Sequence, residues 1–229
     1  MSLGAENLGF SYVAGRPVLS GVSLSVEPGE RVALVAPSGT GKTTLCRLLG
    51  GYLEPREGRV LVDGAPLGRA ARAARPVQLI WQHPEQTFDP RVRLWRSLAE
   101  GLRETDEADA AAGFSRRAGA HGVCRTDQVR ERLRASGLME RLGVREAWLT
   151  RLPHELSGGE LMRLAITRAL LVRPRYLICD EMTAMLDALT QAQVWAGVLD
   201  LAQEREMGLV VVSHSPALLR RVATRQVRI

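Results

Sequence analysis

Lys42 is the only lysine in a chain of 229 residues whose lysines and arginines total 31. It stands in Ala36-Pro37-Ser38-Gly39-Thr40-Gly41-Lys42-Thr43-Thr44. Glycines ahead of a lysine and two hydroxyls make a loop whose backbone N–H groups can surround an oxyanion. A compact ammonium on a flexible stem fits inside such a loop, and a planar guanidinium fork does not. The chemistry on offer is phosphate binding at a helix N-terminus. Ser38, Gly39, Thr40, Gly41, Lys42, Thr43 and Thr44 are the candidate contacts, with Lys42 on the β- and γ-phosphates and the Thr43 hydroxyl on Mg²⁺. The general pattern opens on glycine, and Ala36 stands at that position. Alanine resists positive φ, so the loop is expected to be strained if it needs a left-handed residue there.

Tyr176-Leu177-Ile178-Cys179-Asp180-Glu181 is an apolar run ending in two carboxylates. At the carboxyl edge of a parallel sheet such a pair faces the ligand. Asp180 can hold Mg²⁺ and Glu181 can take a proton from an attacking water. A third element, Leu156-Ser157-Gly158-Gly159-Glu160, reads as a second helix start open to an anion.

These three elements, in this order, resemble the ATP-binding cassette (ABC) ATPases, whose LSGGQ signature is matched by Leu156 to Glu160. The resemblance spans about residues 6–214. It implies a P-loop fold of the ABC type: a mainly parallel sheet, an N-terminal antiparallel β subdomain and an inserted helical subdomain. It implies that Tyr12 stacks on adenine and that Gln82 follows a strand to sense Mg²⁺. It also implies that Asp187 lies at the partner interface and that His214 contacts the γ-phosphate. Ser157, Gly158, Gly159 and Glu160 would cap the ATP of an opposite subunit. Glu160 stands where the family has glutamine, and an acid near a triphosphate would weaken closure unless it points away. His83 to Arg91 looks like the stretch after the Q-loop in oligopeptide and nickel importer ATPases, with Asp89 for the usual asparagine. This segment, Phe88 included, is expected to lie on the surface that meets a membrane partner.

The elements that must position these residues follow from pattern. Val32 to Val35 and Val77 to Trp81 are short apolar runs, and Leu19 to Val26 and Gly58 to Val62 also read as strands. Helices are expected at Lys42 to Leu49, Gly158 to Leu171 and Ala188 to Gln203, with further strands at Tyr176 to Cys179 and Leu209 to Ser213. Strands alternating with helices argue for an α/β fold with a parallel sheet. Between Arg91 and Leu152 the spacing turns helical, with Leu133, Leu138 and Leu142 able to line one face. Ala108 to Gly122 reads as an exposed loop. The expected organisation is a single ABC ATPase domain, 1–229, with a helical insertion at about 91–160. The resemblance implies further strands and a tail beyond Ile229.

Composition narrows the classes. No apolar run reaches the roughly 18 residues of a membrane span, and the first ten residues lack the basic start and apolar core of a leader. Cys46, Cys124 and Cys179 have no metal-ligand spacing and read as reduced thiols. The net charge of +6 comes from scattered arginines, Arg69 to Arg75 being a short cluster. Without an aromatic RNA-binding motif it reads as composition rather than a nucleic-acid surface. The expected protein is therefore the ATP-hydrolysing subunit of a membrane transporter, a bacterial importer of the peptide or nickel type. It would use ATP and Mg²⁺ and lie peripherally on the cytoplasmic face of the membrane. Its partners would be a second ATPase subunit, identical or not, and transmembrane permease subunits. The alternative is an ABC ATPase acting on nucleic acid or ribosomes, which predicts a coiled coil, zinc cysteines or a second cassette; none is in the sequence.

Overall fold

The computed structural model describes residues 1–68, 76–102 and 126–229. The arginine cluster at 69–75, the loop expected at 108–122 and Cys124 lie outside the described residues. The chain divides into two compact units. One comprises Met1–Gln82, Pro174–Ala184 and Leu199–Ile229, the other His83–Arg173 and Met185–Val198.

The first unit holds both sheets. Strands β1 (Leu3–Phe10), β2 (Leu19–Val26), β4 (Glu57–Val62) and β5 (Ala65–Pro66) form an antiparallel sheet in the order β2-β1-β4-β5. Strands β3 (Arg31–Val35), β6 (Val77–Ile80), β7 (Tyr176–Asp180), β8 (Gly208–Val212) and β9 (Arg225–Arg228) form a parallel sheet in the order β6-β7-β8-β3-β9. β7 and β8 are buried at every residue. That is why Tyr176–Cys179 of β7 and the whole of β8 read as unbroken apolar runs rather than alternating ones. Each of Leu209, Val210 and Val211 is 0% exposed, worth about 1.5–3 kcal/mol per side chain relative to exposure. Asp63, just past β4, pairs with Arg175 and accepts from the Tyr176 hydroxyl at 3.4 Å. These contacts tie the antiparallel sheet to the start of β7. Burial, and next the Asp63 charge, push the Tyr176 phenol up to about 12.

The parallel order has a direct consequence. β6, β7, β8 and β3 are consecutive neighbours, so their carboxyl ends share one sheet edge. Gln82, Asp180 with Glu181, His214 and the loop after β3 follow these four ends in that order. Helix α1 (Lys42–Leu49) closes the loop.

The second unit is helical where it is described: α2 (Leu94–Leu102), α3 (Thr126–Ala135), α4 (Leu138–Arg141), α5 (Gly158–Leu171) and the first part of α6 (Ala188–Glu204). Leu133, Leu138 and Leu142 are buried, as their spacing suggests. Helix α7 (Pro216–Val222), in the first unit, has no counterpart in the sequence expectations.

Phe88 corrects an expectation. It is 4% exposed, with the Arg168 guanidinium 4.5 Å above its ring, and Arg168 Nη1 donates to the Thr87 carbonyl at 2.8 Å. Phe88 faces inward, where Arg168 offers its ring a cation and the carbonyl of the preceding Thr87 a donor. A charged residue there will unfold the second unit rather than spare it. Phe88→Ala alone should cost about 3–5 kcal/mol, read as a lower midpoint in urea. A Phe88→Asp chain as stable as the parent would refute the buried placement.

Candidate active site

The loop from Ala36 to Gly41 joins β3 to α1. Gly39 and Gly41 adopt φ of 81° and 95°. At Gly41 a Cβ would also fall 2.9 Å from Leu19 Cδ2 and 3.0 Å from Val18 Cγ1. Gly41 is thus required twice, by backbone and by space. No side chain caps α1, so its first-turn amides remain for an anion. Lys42 Nζ donates to the carbonyls of Ala36 at 2.8 Å and Pro37 at 2.9 Å, and Thr40 Oγ1 donates to Pro37 at 2.8 Å. The lysine is 8% exposed and seated on the loop it must serve.

Ala36 is not among the residues with positive φ. The expected strain is absent, because the left-handed turns fall on Gly39 and Gly41. Ala36→Gly should therefore leave nucleotide affinity within about twofold rather than tighten it, since there is no αL penalty to relieve. Titration with a fluorescent nucleotide reads this, and a tenfold gain would restore the strain argument.

Asp180 ends β7 at 5% exposure, and its Oδ1 has no hydrogen-bond partner. Burial holds its carboxyl above the usual range, opposed by a hydrogen bond from the Thr43 side chain. Glu181 adds to the rise, while Arg47 and Lys42 oppose it. The folded chain holds this proton more tightly than the unfolded one, so Asp180's contribution to stability falls as pH rises past the ordinary carboxylate range. Asp180→Asn should stabilise the free chain, each 1 kcal/mol appearing as about 2–4 °C in Tm. The same change should weaken Mg²⁺-dependent nucleotide binding. A lower Tm would show that the charge is compensated.

An orphaned buried carboxylate oxygen and a hydroxyl bonded to the same carboxylate are hard oxygen donors that fit Mg²⁺. Among the described residues no group of three His, Cys, Asp or Glu is placed to hold a metal. Such an ion would rely on substrate phosphates and water for its remaining ligands.

Glu181 is the centre of the site. Gln82 Nε2 donates to its Oε2 at 3.1 Å, and His214 Nε2 lies 3.0 Å from its Oε1. Its backbone is left-handed, φ 51°, held by the Glu181 N–H bond to the Val212 carbonyl at 3.0 Å. A non-glycine residue in this region costs on the order of 1–3 kcal/mol and persists where the surroundings enforce it. Nothing in the sequence signals that turn. Tyr12, 53% exposed, bonds Thr44 Oγ1 through its hydroxyl at 3.3 Å and meets Phe10 edge-on. It therefore presents an aromatic face beside the start of α1.

In the second unit, Ser157 caps α5. Its Oγ accepts from Glu160 N at 3.3 Å. Glu160 Oε2 accepts from Ser157 N at 2.8 Å and from Ser157 Oγ at 2.9 Å. This reciprocal capping box turns the Glu160 carboxylate back onto its own helix start. The backbone bond from Ser157 holds its pKa below the usual range. Gly158 has neither positive φ nor any atom within 4 Å of a notional Cβ, so nothing within the chain demands glycine there. Asp187 Oδ1 accepts from Thr190 N at 2.9 Å and caps the start of α6.

The loop, the two carboxylates, Gln82 and His214 meet at one edge of a parallel sheet, which is the layout of a nucleotide-binding α/β protein. The ABC transporter family model matches residues 19–184. The chain belongs to the ABC transporter family. It is 34% identical over 228 residues to a Brucella abortus (strain 2308) protein provisionally named a peptide import ATP-binding protein, covering 96% of this chain and 63% of that one. It is 35% identical over 208 residues to a nickel import ATP-binding protein of Pseudomonas putida, covering 89% of this chain and 70% of that one. The chain thus spans under two thirds of the length of the Brucella relative. Among solved structures, it resembles a dimeric ATP-binding cassette in a post-hydrolysis state bound to ADP and Pi. The TM-score is 0.80 at 23% identity, over 99% of this chain and 94% of that one.

Proposed function

We propose that this chain is an ATP hydrolase, the nucleotide-binding subunit that powers an ABC membrane importer of the peptide or nickel type. The observation that carries the reading is the Glu181 carboxylate bracketed by Gln82 and His214 on the sheet edge that also bears the Lys42 loop. ATP is the substrate. The amides of Gly39 to Thr44 and the Lys42 ammonium hold its β- and γ-phosphates, and Tyr12 stacks on its base. Thr43 and Asp180, with Gln82, would hold Mg²⁺, which when bound would neutralise phosphate charge. Glu181 accepts the proton of the attacking water as its oxygen bonds the γ-phosphorus and the bond to the β,γ-bridging oxygen breaks. His214 supports the γ-phosphate.

The working unit is a pair of subunits, with Ser157, Gly158, Gly159, Glu160 and Asp187 of one facing the nucleotide of the other. Transmembrane permease subunits are the further partners. This reading places the chain peripherally on the cytoplasmic face of the membrane; among the described residues no helix is long and apolar enough to cross a membrane. The ATPase domain is 1–229, with a helical insertion at about 91–160. The exposed Asp89 and Arg91, which pair with each other at 3.3 Å, replace Phe88 as the candidate contacts to the permease. The test is Mg-ATP hydrolysis by the purified chain, with light scattering to follow pairing. A chain that binds no nucleotide under any metal condition would defeat the proposal.

A further inference from the structure

Arg163 lies on the second turn of α5 and belongs to none of the motifs discussed above. Its guanidinium reaches two other segments of the same unit. Nη1 donates to the Gly143 carbonyl at 3.0 Å, and Nη2 donates to Thr190 Oγ1 and Gln193 Oε1, each at 3.3 Å. The seat at Gly143 is built for it. Gly143 has φ 62°, and a Cβ there would fall 2.3 Å from Nη1. On the other side, Thr190 is the residue whose N–H bonds Asp187 Oδ1. A separate contact joins the same two turns: a Cβ on Gly159 would come within 3.1 Å of Leu186 Cδ2. The start of α5 and the start of α6 therefore pack directly, and Arg163 clamps them one turn further in.

We propose that Arg163 is a positioning residue that holds the Ser157–Glu160 turn and the Asp187 turn as one block, presented to the nucleotide site of a second copy of this chain. The inference rests on the function proposed above. Arg163 touches no nucleotide; it acts through the two turns. A planar fork can serve acceptors in two directions at once, whereas a lysine keeps the charge but has no such fork. Displacement of about 1 Å at a reacting centre can cost about 100-fold in rate, so a loosened block should act on hydrolysis more than on folding.

The experiment uses mixed pairs of differently tagged chains. A Lys42→Ala subunit loses its own nucleotide but still offers its two turns. Paired with a parent subunit it leaves one working site. With Arg163→Lys on the Lys42→Ala subunit, hydrolysis at that site should fall about 100-fold. With Arg163→Lys on the other subunit, the rate should stay within about twofold. Thr190→Val, which removes one acceptor on α6, should show the same dependence on placement with a smaller loss. Equal losses in both arrangements would make Arg163 a general fold residue and overturn the proposal, as would no loss in either. A parent pair that never hydrolyses ATP would reject the functional reading and this inference with it. Parent activity with a loss that ignores placement would reject the inference alone.

Discussion

A Glu181→Gln chain will bind ATP, hydrolyse it about 10²–10⁴-fold more slowly than the parent, and run as a pair on gel filtration with Mg-ATP. The amide has the volume of the acid, so the end of β7 and the bond from Glu181 N to the Val212 carbonyl remain. What changes is chemical. The carboxylate offers two oxygens, one to Gln82 Nε2 and one toward His214 Nε2. The amide can keep its oxygen toward Gln82 and turn its NH2 toward His214, whose Nε2 must then accept rather than donate, and no base remains for the water. The Glu181 charge also raises the proton affinity of Asp180. Removing it leaves less negative charge facing the triphosphate, which favours the bound state. Undiminished turnover together with a monomer on the column would remove Glu181 from the base role.

The parts of the site legible in the sequence share a physical cause. Strands buried on both faces are apolar along their length, so the Tyr176–Cys179 run of β7 and β8 announce themselves, and the first polar residue ending each run, Asp180 and Ser213, marks the sheet edge. Gly41 is legible because both backbone and space exclude any other residue. What could not be read depends on partners far along the chain. The left-handed turn at Glu181 is enforced by Val212, and the inward face of Phe88 by Arg168. Ala36 looked strained only because a pattern was read one residue at a time. The loop places its left-handed turns on Gly39 and Gly41 and leaves Ala36 unstrained. Glu160 looked like an acid aimed at a phosphate, yet the Ser157 cap gives its carboxylate a local use. β1 and β9 escaped because neither is an unbroken apolar run: β1 mixes buried and exposed residues, and β9 is mostly exposed.

Lys42→Ala should lose ATP affinity by about 100-fold or more and show no measurable hydrolysis. In the free chain the ammonium bonds two loop carbonyls, those of Ala36 and Pro37, at 2.8 and 2.9 Å. On binding it exchanges these for phosphate oxygens. The exchange replaces bonds to neutral carbonyls by bonds to charged oxygens, which are roughly twice as strong as neutral ones, and places a unit positive charge beside the triphosphate, so the loss combines both effects. Stability should change little by comparison, because Ala36 and Pro37 are not buried and water can take the freed carbonyls. Thermal melting without nucleotide separates the two effects: Tm near the parent's with affinity lost means a binding role, and a collapsed Tm means a structural one. Lys42→Arg is the sharper test, since it keeps the charge in a chain that uses arginine at every other basic position. Lys42 is 8% exposed and its single Nζ bonds the loop carbonyls, and a guanidinium presents a wide planar fork. The arginine chain should therefore fail much as the alanine chain does, in both nucleotide titration and steady-state hydrolysis. If it turns over ATP at the parent's rate, charge alone suffices at this position, and the presence of lysine here has no explanation in the geometry of the loop.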